Sequence, residues 1–335
     1  MRRREFITLL GGTVASPLVA RAQQPAKTKR IAVVSSALPV ANMVARGKDL
    51  FYRAFFDELS RRGLVEGKNL IVERFSAEGQ PDRFAQLVPH VVDTRPDAIF
   101  AGETGLGLAF KAATTTIPIV TASSDPVASG LVSNLARPGG NITGTANDAG
   151  LQIWGKRIGL LKETLPQLSN VRILMQTQDR WESPFGSAIR QAAKAARIAV
   201  NAVWFDGRID EAEYRRVFAA FEQDRPDALM VAEYTIHLVN AATIVELAAK
   251  HRLPALYALQ GFVEIGGLMT HSADREELGR SIGYQIGQIL NGTNPGDIPY
   301  NLVSRYELAL NLKTAKSLGI EFPATLLGSA DLIIE

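Results

Sequence analysis

The sequence predicts an α/β protein made of two doubly wound, parallel-sheet lobes joined by three chain crossings. The chain has 335 residues, which suits two domains of about 100–200 residues each. Short, β-branched apolar runs alternate with amphipathic helical stretches, which indicates right-handed βαβ crossovers and a sheet covered by helices on both faces. In addition, one sequence motif occurs twice, as RPDAIFAGE at 95–103 and as RPDALMVAE at 225–233.

The first lobe is predicted to begin at Lys29. Its strands are short, largely apolar runs, as expected for strands buried on both faces; they are predicted at 31–35, 69–75, 97–102 and 117–123. Its helices carry apolar side chains at helical spacing; they are predicted at 47–62, 81–93 and 104–115. Gly63 ends the first helix, because glycine tolerates the left-handed conformation that often follows a helix.

The same alternation restarts at residue 151 and predicts the second lobe. Helical spacing of apolar residues predicts helices at 151–165, 184–197, 210–223 and 237–250. Apolar runs between them predict strands at 171–176, 200–205, 227–233 and 253–259.

The two copies of the repeated motif are predicted to occupy the same position in the two lobes. In each copy the proline ends the preceding helix, Asp97 or Asp227 begins the turn, and four apolar residues enter the sheet. Each copy then leads through a helix to a further strand opened by a proline, Pro118 or Pro254. Chance recurrence is the alternative, because R-P-D-A is a common helix-to-strand turn.

Three segments, 139–150, 260–272 and 294–301, are predicted to cross between the lobes. The second segment contains a strand at 267–271 and leads into a helix at 274–291 that returns to the first lobe. Several crossings form a hinge that permits rigid-body closure. The predicted first lobe comprises 29–146 and 260–298, and the second lobe comprises 147–259 and 299–335.

Residues 1–22 are predicted to be a cleaved signal peptide. The basic RRR at 2–4 precedes a mild apolar stretch, and ARA at 20–22 has the small-x-small pattern that precedes a cleavage site. The stretch RREFI at 3–7 also fits the twin-arginine pattern. A frayed helix or a membrane anchor is the alternative interpretation.

The basic excess of the chain comes from this N-terminal segment. The chain has 37 Lys and Arg against 34 Asp and Glu, a net charge of +3, and residues 1–22 hold four of those arginines and one glutamate. Their removal leaves 33 basic and 33 acidic residues, so the electrostatic footprint of a nucleic-acid-binding protein is absent. No apolar run reaches the roughly 18 residues that span a bilayer, so no stable membrane insertion of the mature chain is expected.

The sequence contains no cysteine. Disulfides, thiolate catalysis, iron–sulfur clusters and cysteine-ligated zinc are therefore excluded, and so is a lipid attached to an N-terminal cysteine. Together with the signal peptide, this composition predicts a periplasmic protein that is not a lipoprotein and is stabilised by a large core.

Patterns that resemble catalytic or cofactor motifs are interpreted as structural. GLGLAF at 105–110 begins like a dinucleotide-binding loop, but Phe110 replaces the third small residue. GRSIG at 279–283 matches G-x-S-x-G but lies within a helical pattern, not at a strand-to-helix elbow. No catalytic residue, cofactor or metal is expected. The histidines are far apart and are predicted to be surface or capping residues; they are His90, His237, His251 and His271.

Glutamates that follow two predicted strands are the first candidate ligand contacts. Ligands of doubly wound sheets bind outside the carboxyl ends of the strands, so Glu103 and Glu233 both point at the cleft if the lobes face each other. Each offers an anionic group to a ligand ammonium or hydroxyl. The alternative is that each carboxylate stabilises the N-terminus of the next helix, a contribution of about 0.3–1 kcal/mol.

Other strand ends carry polar and aromatic side chains. Serine hydroxyls and backbone N–H groups suit a ligand carboxylate, especially near a helix N-terminus, whereas Thr104 is also consistent with a simple helix cap. Aromatic side chains suit a stacked ligand ring or lobe packing, and packing is favoured for Trp154 and Trp204. The polar loop at 176–183 is the expected place of ligand specificity. The predicted ligand-binding residues are Ser35, Ser36, Glu103, Thr104, Ser123, Ser124, Asp125, Gln176, Thr177, Asp179, Asp206, Glu233, Tyr234 and Tyr257.

Three stretches, SDPVASGLVSNLARPGGNITG at 124–144, VEIGGLMTHS at 263–272 and LNLKTAKSLG at 310–319, carry a family resemblance. With further matching segments over nearly the whole mature chain, the sequence resembles the ABC-transporter substrate-binding family that includes tryptophan- and tyrosine-binding members. The resemblance implies the type I periplasmic-binding-protein fold, capture of a small solute in the cleft and delivery to a membrane permease. It also implies that Asp125 lies at the cleft, although Asp-Pro is ordinary turn chemistry.

The sequence therefore predicts the periplasmic solute-binding component of an ABC importer. Its ligand is expected to be an amino-acid-like molecule or an aromatic carboxylate, held without chemical change, and its partner an inner-membrane permease. A ligand-sensing module for a membrane receptor shares the fold and is not distinguished by sequence. A secreted α/β hydrolase or dehydrogenase is disfavoured, because it needs an activated nucleophile or a cofactor loop.

Overall fold

The computed structural model describes residues 28–147, 152–176, 178–205 and 208–335, so the predicted signal peptide lies outside the described residues. The strands in these ranges are β1 (Lys29–Ser35), β2 (Leu70–Ser76), β3 (Ala98–Ala101), β4 (Ile119–Ser123), β5 (Ile142–Ala146), β6 (Asn170–Leu174), β7 (Ala199–Val203), β8 (Ala228–Val231), β9 (Ala255–Tyr257), β10 (Met269–Ala273), β11 (Asn301–Leu302), β12 (Tyr306–Asn311) and β13 (Leu332–Ile334).

The helices in the same ranges are α1 (Leu50–Arg61), α2 (Pro81–Asp93), α3 (Thr104–Ala113), α4 (Gln152–Thr164), α5 (Gln178–Glu182), α6 (Pro184–Ala195), α7 (Glu211–Ala220), α8 (Thr235–Val239), α9 (Ala241–Lys250), α10 (Gly261–Glu264), α11 (Arg275–Leu290), α12 (Leu312–Leu318) and α13 (Ala324–Ser329). Short 3₁₀ turns lie at Val40–Asn42 and Pro295–Asp297. Among the described helices, none has both the length and the apolar character required to cross a bilayer.

Each lobe is built on one sheet, which confirms the predicted fold class. The first sheet has the order β11-β5-β4-β3-β1-β2 with every neighbouring pair parallel. The second sheet has the order β13-β12-β10-β9-β8-β6-β7 and is parallel from β10 to β7. Strand β12 runs antiparallel to β10 and adds an edge to the second sheet together with β13.

Both faces of each sheet are covered by apolar side chains, as the continuous apolar runs predict. In β1, Ile31 packs with side chains of α1 and α11, whereas Ala32 packs on the other face with side chains of α2 and α3. In β6, Ile173 packs with the layer that contains α4 and α6, and Leu174 packs with the layer of α7 and α9. Side chains that alternate in this way bury four apolar layers, two for each lobe.

The two copies of the repeated motif occupy equivalent positions in the two sheets. Strand β3 pairs with β1 and β4, and β8 pairs with β6 and β9. The Asp97 carboxylate accepts a hydrogen bond of 2.8 Å from the backbone N–H of Arg30 at the start of β1. The Asp227 carboxylate accepts bonds of 2.8 and 2.9 Å from the N–H groups of Ser169 and Asn170 at the start of β6. Each aspartate therefore fixes the start of its lobe's first strand.

The strand pairing moves two predicted lobe boundaries. Strand β10 pairs with β9 and β12 in the second sheet, so the second crossing lies between Ala273 and Arg275 and not at residue 260. Strand β11 pairs with β5 in the first sheet, so the third crossing lies after Leu302 and not at residue 299. The predicted first crossing also contains a strand, because Ile142–Ala146 forms β5. Threonine and glycine in β5 masked the apolar pattern that identifies the other buried strands.

Several short elements were not predicted. The predicted helix at 237–250 is two helices, α8 and α9, which meet at Asn240. The polar loop at 176–183 contains α5, and the chain end adds α13 and β13. Elements of three to six residues are too short for periodicity to identify, and the break between α8 and α9 at Asn240 interrupts a continuous apolar pattern.

Two of the histidines are buried, so the prediction that all are surface or capping residues is wrong for them. His237 is fully buried, and its Nδ1 lies 2.5 Å from the Tyr214 hydroxyl. Burial lowers the pKa of His237 to about 3. His271 stacks on Tyr306 with ring centroids 5.7 Å apart, and burial, followed by the nearby charge of Arg157, lowers the pKa of His271 to about 4. His251, by contrast, caps α9 as predicted.

The G-x-S-x-G pattern at 279–283 lies inside α11, which confirms that it is not a nucleophile elbow. Its glycines allow α11 to pack closely against α1. A Cβ atom at Gly279 would lie 2.2 Å from the carbonyl oxygen of Phe51, and one at Gly283 would lie 2.7 Å from that of Phe55. Neither distance is compatible with a side chain, so these glycines set the distance between the two helices.

We expect Gly279→Ala to lower the free energy of unfolding by about 1–3 kcal/mol, because the added methyl group overpacks the contact between α11 and α1. Gly159→Ala in α4 is the matched control, since a Cβ atom there meets nothing within 4 Å. The control should raise stability by about 0.5–1 kcal/mol through helix propensity. Thermal and urea denaturation of both variants measures the difference; equal effects would contradict the proposed close packing.

Candidate functional site

A cavity of about 990 Å³ lies between the carboxyl ends of the strands of both sheets. This is where doubly wound sheets bind ligands. Nine of the residues predicted to bind ligand line it, and they come from both lobes; they are Ser35, Ser36, Glu103, Thr104, Ser123, Ser124, Gln176, Glu233 and Tyr234. The structure therefore brings together strand ends that are up to 199 positions apart in sequence, from Ser35 to Tyr234.

The Glu103 carboxylate receives hydrogen bonds from both lobes. In the first lobe the Ser35 hydroxyl donates to it at 3.0 Å and the backbone N–H of Ser36 donates at 3.1 Å. From the second lobe the Thr235 hydroxyl donates at 2.8 Å. Glu103 directly precedes α3, but its side chain accepts no bond from that helix. Its carboxylate therefore joins the two walls of the cavity and does not cap its own helix.

Burial raises the pKa of Glu103 above the ordinary glutamate value, and the hydrogen bonds from Thr235, Ser36 and Ser35 oppose that rise only in part. Among the described residues, no cation forms an ion pair with this carboxylate. A buried carboxylate with hydroxyl and amide donors but no cation is a site where the positive group of a ligand would favour the charged form.

Glu233 is compensated by a residue that sequence reasoning missed. The Arg157 guanidinium forms an ion pair with Glu233, and it is fully buried while the Glu233 side chain is 7% exposed. Arg157 lies in α4 three positions after Trp154 and four before Leu161, on the helix face predicted to be apolar. The sequence did contain a signal for this ion pair. An arginine on a helix face that is otherwise apolar indicates a buried charge, and a buried charge requires a partner.

A second ion pair lies on the first-lobe side of the cavity. Arg275, the first residue of α11, lines the cavity and donates two hydrogen bonds of 2.7 Å to the Asp49 carboxylate. Asp49 in turn caps α1 by accepting from the N–H of Phe51 at 2.9 Å. Since Arg275 is paired with Asp49 and Glu233 with Arg157, the uncompensated charge among the described lining residues is that of Glu103.

Aromatic and aliphatic side chains make up much of the remaining wall. Phenylalanines from both lobes contribute; they are Phe51, Phe84, Phe100 and Phe185. Phe185 packs edge-to-face on Trp154 with ring centroids 5.2 Å apart, so the second-lobe wall is backed by a rigid aromatic pair. Trp154 is buried and Trp204 packs against the same core, which confirms the packing role predicted for both.

Other predicted residues do not line the cavity. The Asp125 carboxylate accepts a hydrogen bond of 2.9 Å from the N–H of Ala128, so it stabilises a turn beside the cavity. Tyr257 is buried in the second-lobe core and stacks on Phe262 with ring centroids 4.5 Å apart. Thr177, Asp206 and the side chain of Asp179 lie outside the described residues.

Comparisons with known proteins identify relatives over most of the chain. A family model described as ABC transporter substrate binding protein matches residues 39–334. A tyrosine-binding protein of Clostridioides difficile strain R20291 is 25% identical over 270 residues, which cover 80% of this chain and 76% of that relative.

Solved structures show the same fold. An ABC domain in complex with L-Trp from Streptococcus pneumonia superposes with a TM-score of 0.80 and 23% identity, covering 92% of this chain and 100% of that one. The ligand-free, open structure of a substrate-binding protein with adhesive properties from Clostridium difficile has a TM-score of 0.61 and 24% identity, covering 91% and 99%.

The raised pKa of Glu103 predicts a specific pH dependence of stability. A carboxyl group with a raised pKa imposes no penalty below the ordinary glutamate pKa and costs stability as pH rises through the raised value. We therefore expect the melting temperature of Glu103→Gln, relative to the unsubstituted protein, to increase from pH 4 to pH 8. Scanning calorimetry without ligand measures this difference.

The exposed Glu264 supplies the control for this comparison. The pH dependence of Glu103→Gln should clearly exceed that of Glu264→Gln, which removes an exposed carboxylate of the same kind. A relative melting temperature of Glu103→Gln that stays flat, or falls as pH rises, would show that burial does not disfavour the Glu103 carboxylate.

Proposed function

The chain belongs to the family of ABC transporter substrate-binding proteins, and from this premise we propose that it captures an amino-acid-like molecule between its two lobes and delivers it to a permease. The observation that carries the proposal is the buried Glu103 carboxylate, which has donors from both lobes but no cationic partner among the described residues. A ligand ammonium at this carboxylate supplies the missing charge and contacts both walls at once.

The carboxylate of the same ligand is assigned to the N-terminus of α3. Thr104, Gly105 and Leu106 form the first turn of this ten-residue helix and line the cavity. The first N–H groups of a helix have no partner within the helix and favour negative charge. The N-terminus adjoins Glu103 in the chain, so it suits an ammonium and a carboxylate carried on one carbon atom.

The side chain of the ligand is assigned to the aromatic part of the wall. Phe51, Phe84 and Phe100 approach from the first lobe and Phe185 from the second, so an aromatic or large apolar ligand side chain is enclosed from both sides. A free aromatic carboxylate fits less well, because Arg275 is already paired with Asp49 and Glu103 would repel it. The tyrosine-binding relative supports an aromatic amino acid as the first ligand to test.

Binding without chemical change is part of the proposal. A non-covalent affinity in the micromolar range corresponds to about −8 kcal/mol, which a desolvated cavity with several charged and polar contacts supplies.

We expect L-tyrosine or L-tryptophan to raise the melting temperature, because a ligand present at 100 times its Kd stabilises the folded state by about 2.7 kcal/mol. Tyramine lacks the carboxylate and 3-(4-hydroxyphenyl)propionate lacks the amine, so both should bind more weakly, the propionate most of all. Glu103→Gln should lose at least about tenfold in affinity for the amino acid, whereas Glu264→Gln should not. Calorimetric titration measures each value. Tighter binding of the propionate, or turnover of a bound compound, would refute the proposal.

Export across the inner membrane is the second part of the proposal. It is supported by the basic, apolar and small-x-small pattern of residues 1–22 and by the family, whose members deliver solutes to membrane permeases. In a periplasm a free protein can reach both the solute and the outer side of a permease.

Mass spectrometry of the protein from a periplasmic extract should give a chain that begins at Gln23. Replacing Arg3 and Arg4 by lysine should retain the protein in the cytoplasm with residues 1–22 attached, because both arginines belong to the twin-arginine pattern. Export of the lysine variant at the normal level would indicate the general secretory route. A periplasmic protein with an intact N-terminus would contradict cleavage.

A further inference from the structure

Arg157 is a fully buried cation on an otherwise apolar helix face. Its neighbours Trp154, Ile158 and Leu161 all belong to the core of the second lobe. Burial of a guanidinium is costly unless the charge is paired and its donors are used. The side chain is therefore retained at a cost to stability, and its contacts show what it holds in place.

Three groups hold the Arg157 guanidinium. One side forms the ion pair with Glu233, Nε donates to the carbonyl oxygen of His271 at 3.0 Å, and the guanidinium lies over the Trp154 ring at 4.7 Å. This combination of a carboxylate, a carbonyl and an aromatic face is one that arginine satisfies and lysine does not, because the guanidinium is planar and has five donors.

Glu233 uses only one of its two carboxylate oxygens in this arrangement. Oε1 contacts Arg157, whereas Oε2 is buried and has no hydrogen-bond partner among the described residues. Glu233 lines the cavity and its side chain is 7% exposed. Arg157 therefore holds Glu233 through Oε1 and leaves Oε2 without a described partner in a residue that lines the cavity.

The same arginine is linked to all three crossings between the lobes. His271 precedes the second crossing and stacks on Tyr306, which follows the third crossing. The Tyr306 hydroxyl donates to the carbonyl oxygen of Asn147 at 3.2 Å, and Asn147 begins the first crossing and lines the cavity. These contacts therefore form a continuous chain that connects Glu233 to Asn147, and both of these residues line the cavity. The residues between them are Arg157, His271 and Tyr306.

We propose that Arg157 is a positioning residue that holds the Glu233 carboxylate by one oxygen, leaves its other oxygen for the ligand, and fixes Glu233 to the chain segment that crosses between the lobes. This inference rests on the proposed function, since it assigns Glu233 a contact with the ligand. Arg157 itself touches no ligand; it acts through Glu233.

Other charged and titratable groups around Glu233 are His271 on β10, the neighbouring Tyr234, and Glu103 on the opposite wall. Burial, and then the charge of Arg157, lowers the pKa of His271 to about 4, so this ring is neutral above pH 6. Glu103 is present in every variant below, so its own titration cancels when variants are compared with the unsubstituted protein at one pH.

The ligand-free test compares Arg157→Met, Glu233→Gln and the double variant. Loss of the cation leaves Glu233 as an unpaired buried carboxylate, so the melting temperature of Arg157→Met should fall at pH 8. The double variant should regain much of the lost melting temperature, because both buried charges are removed. A double variant no more stable than Arg157→Met would overturn the claim that Arg157 compensates Glu233.

The ligand test uses calorimetric titration with L-tyrosine at pH 8. Arg157→Met should bind at least about tenfold more weakly than the unsubstituted protein, because the Glu233 carboxylate is no longer held in place. Glu233→Gln should lose a similar factor, and the double variant should lose little more than either single variant, because Arg157 acts through Glu233. Arg157→Lys keeps the cation and should restore part of the affinity. Additive losses in the double variant would show that Arg157 does not act through Glu233.

Arg190→Met is the matched control. Arg190 also lies over a tryptophan ring, that of Trp181 at 4.9 Å, and donates to the carbonyl oxygen of Trp181 at 2.7 Å, but it does not line the cavity. It should lose stability without a loss of affinity. If L-tyrosine fails to bind the unsubstituted protein, the proposed ligand is wrong, whereas the ligand-free comparison still decides whether Arg157 compensates Glu233.

Discussion

The compensation of charges buried between the lobes is the constraint on which this molecule depends. A cavity that closes over a ligand removes carboxylates and guanidinium groups from water, and each of them then requires a partner. Arg157 and Glu233 compensate each other's charge within the second lobe, and Arg275 and Asp49 do so within the first. Glu103 is the exception, because its donors come from both lobes and none carries a charge.

This distribution of charge explains how the architecture serves recognition. The paired groups shape the walls without a ligand, because each ion pair lies within one lobe. The Thr235 bond to Glu103 joins the two lobes, so the carboxylate proposed to bind the ligand cation also links the two walls of the cavity. Under the proposed function, recognition and closure depend on the same carboxylate, which couples the two events.

Much of the fold follows from local sequence patterns, because buried parallel strands and amphipathic helices have distinct periods. The repeated RPDA motif correctly indicated equivalent strands. Its aspartates have the same role in each lobe, because each accepts a backbone hydrogen bond at the start of that lobe's first strand. The assignment of β10 and β11 failed, because strand pairing at a crossing depends on which sheet edge is available, and no local pattern encodes that. Position after a strand was sufficient to bring Glu103 and Glu233 to the cavity. Tyr257 is instead the last residue of β9, paired with Val231 and buried in the core, whereas Glu103 and Glu233 lie two residues beyond the ends of their strands.

The return of α11 to the first lobe has a consequence for the order in which the molecule can be completed. The face of α1 that α11 covers remains exposed until residues 275–290 are available, and the second sheet lacks its edge until residues 306–334 follow. A chain synthesised from its N-terminus therefore holds an unfinished first lobe while most of the second is made. A product truncated before residue 275 lacks part of each lobe and would expose this face of α1 to aggregation and proteolysis.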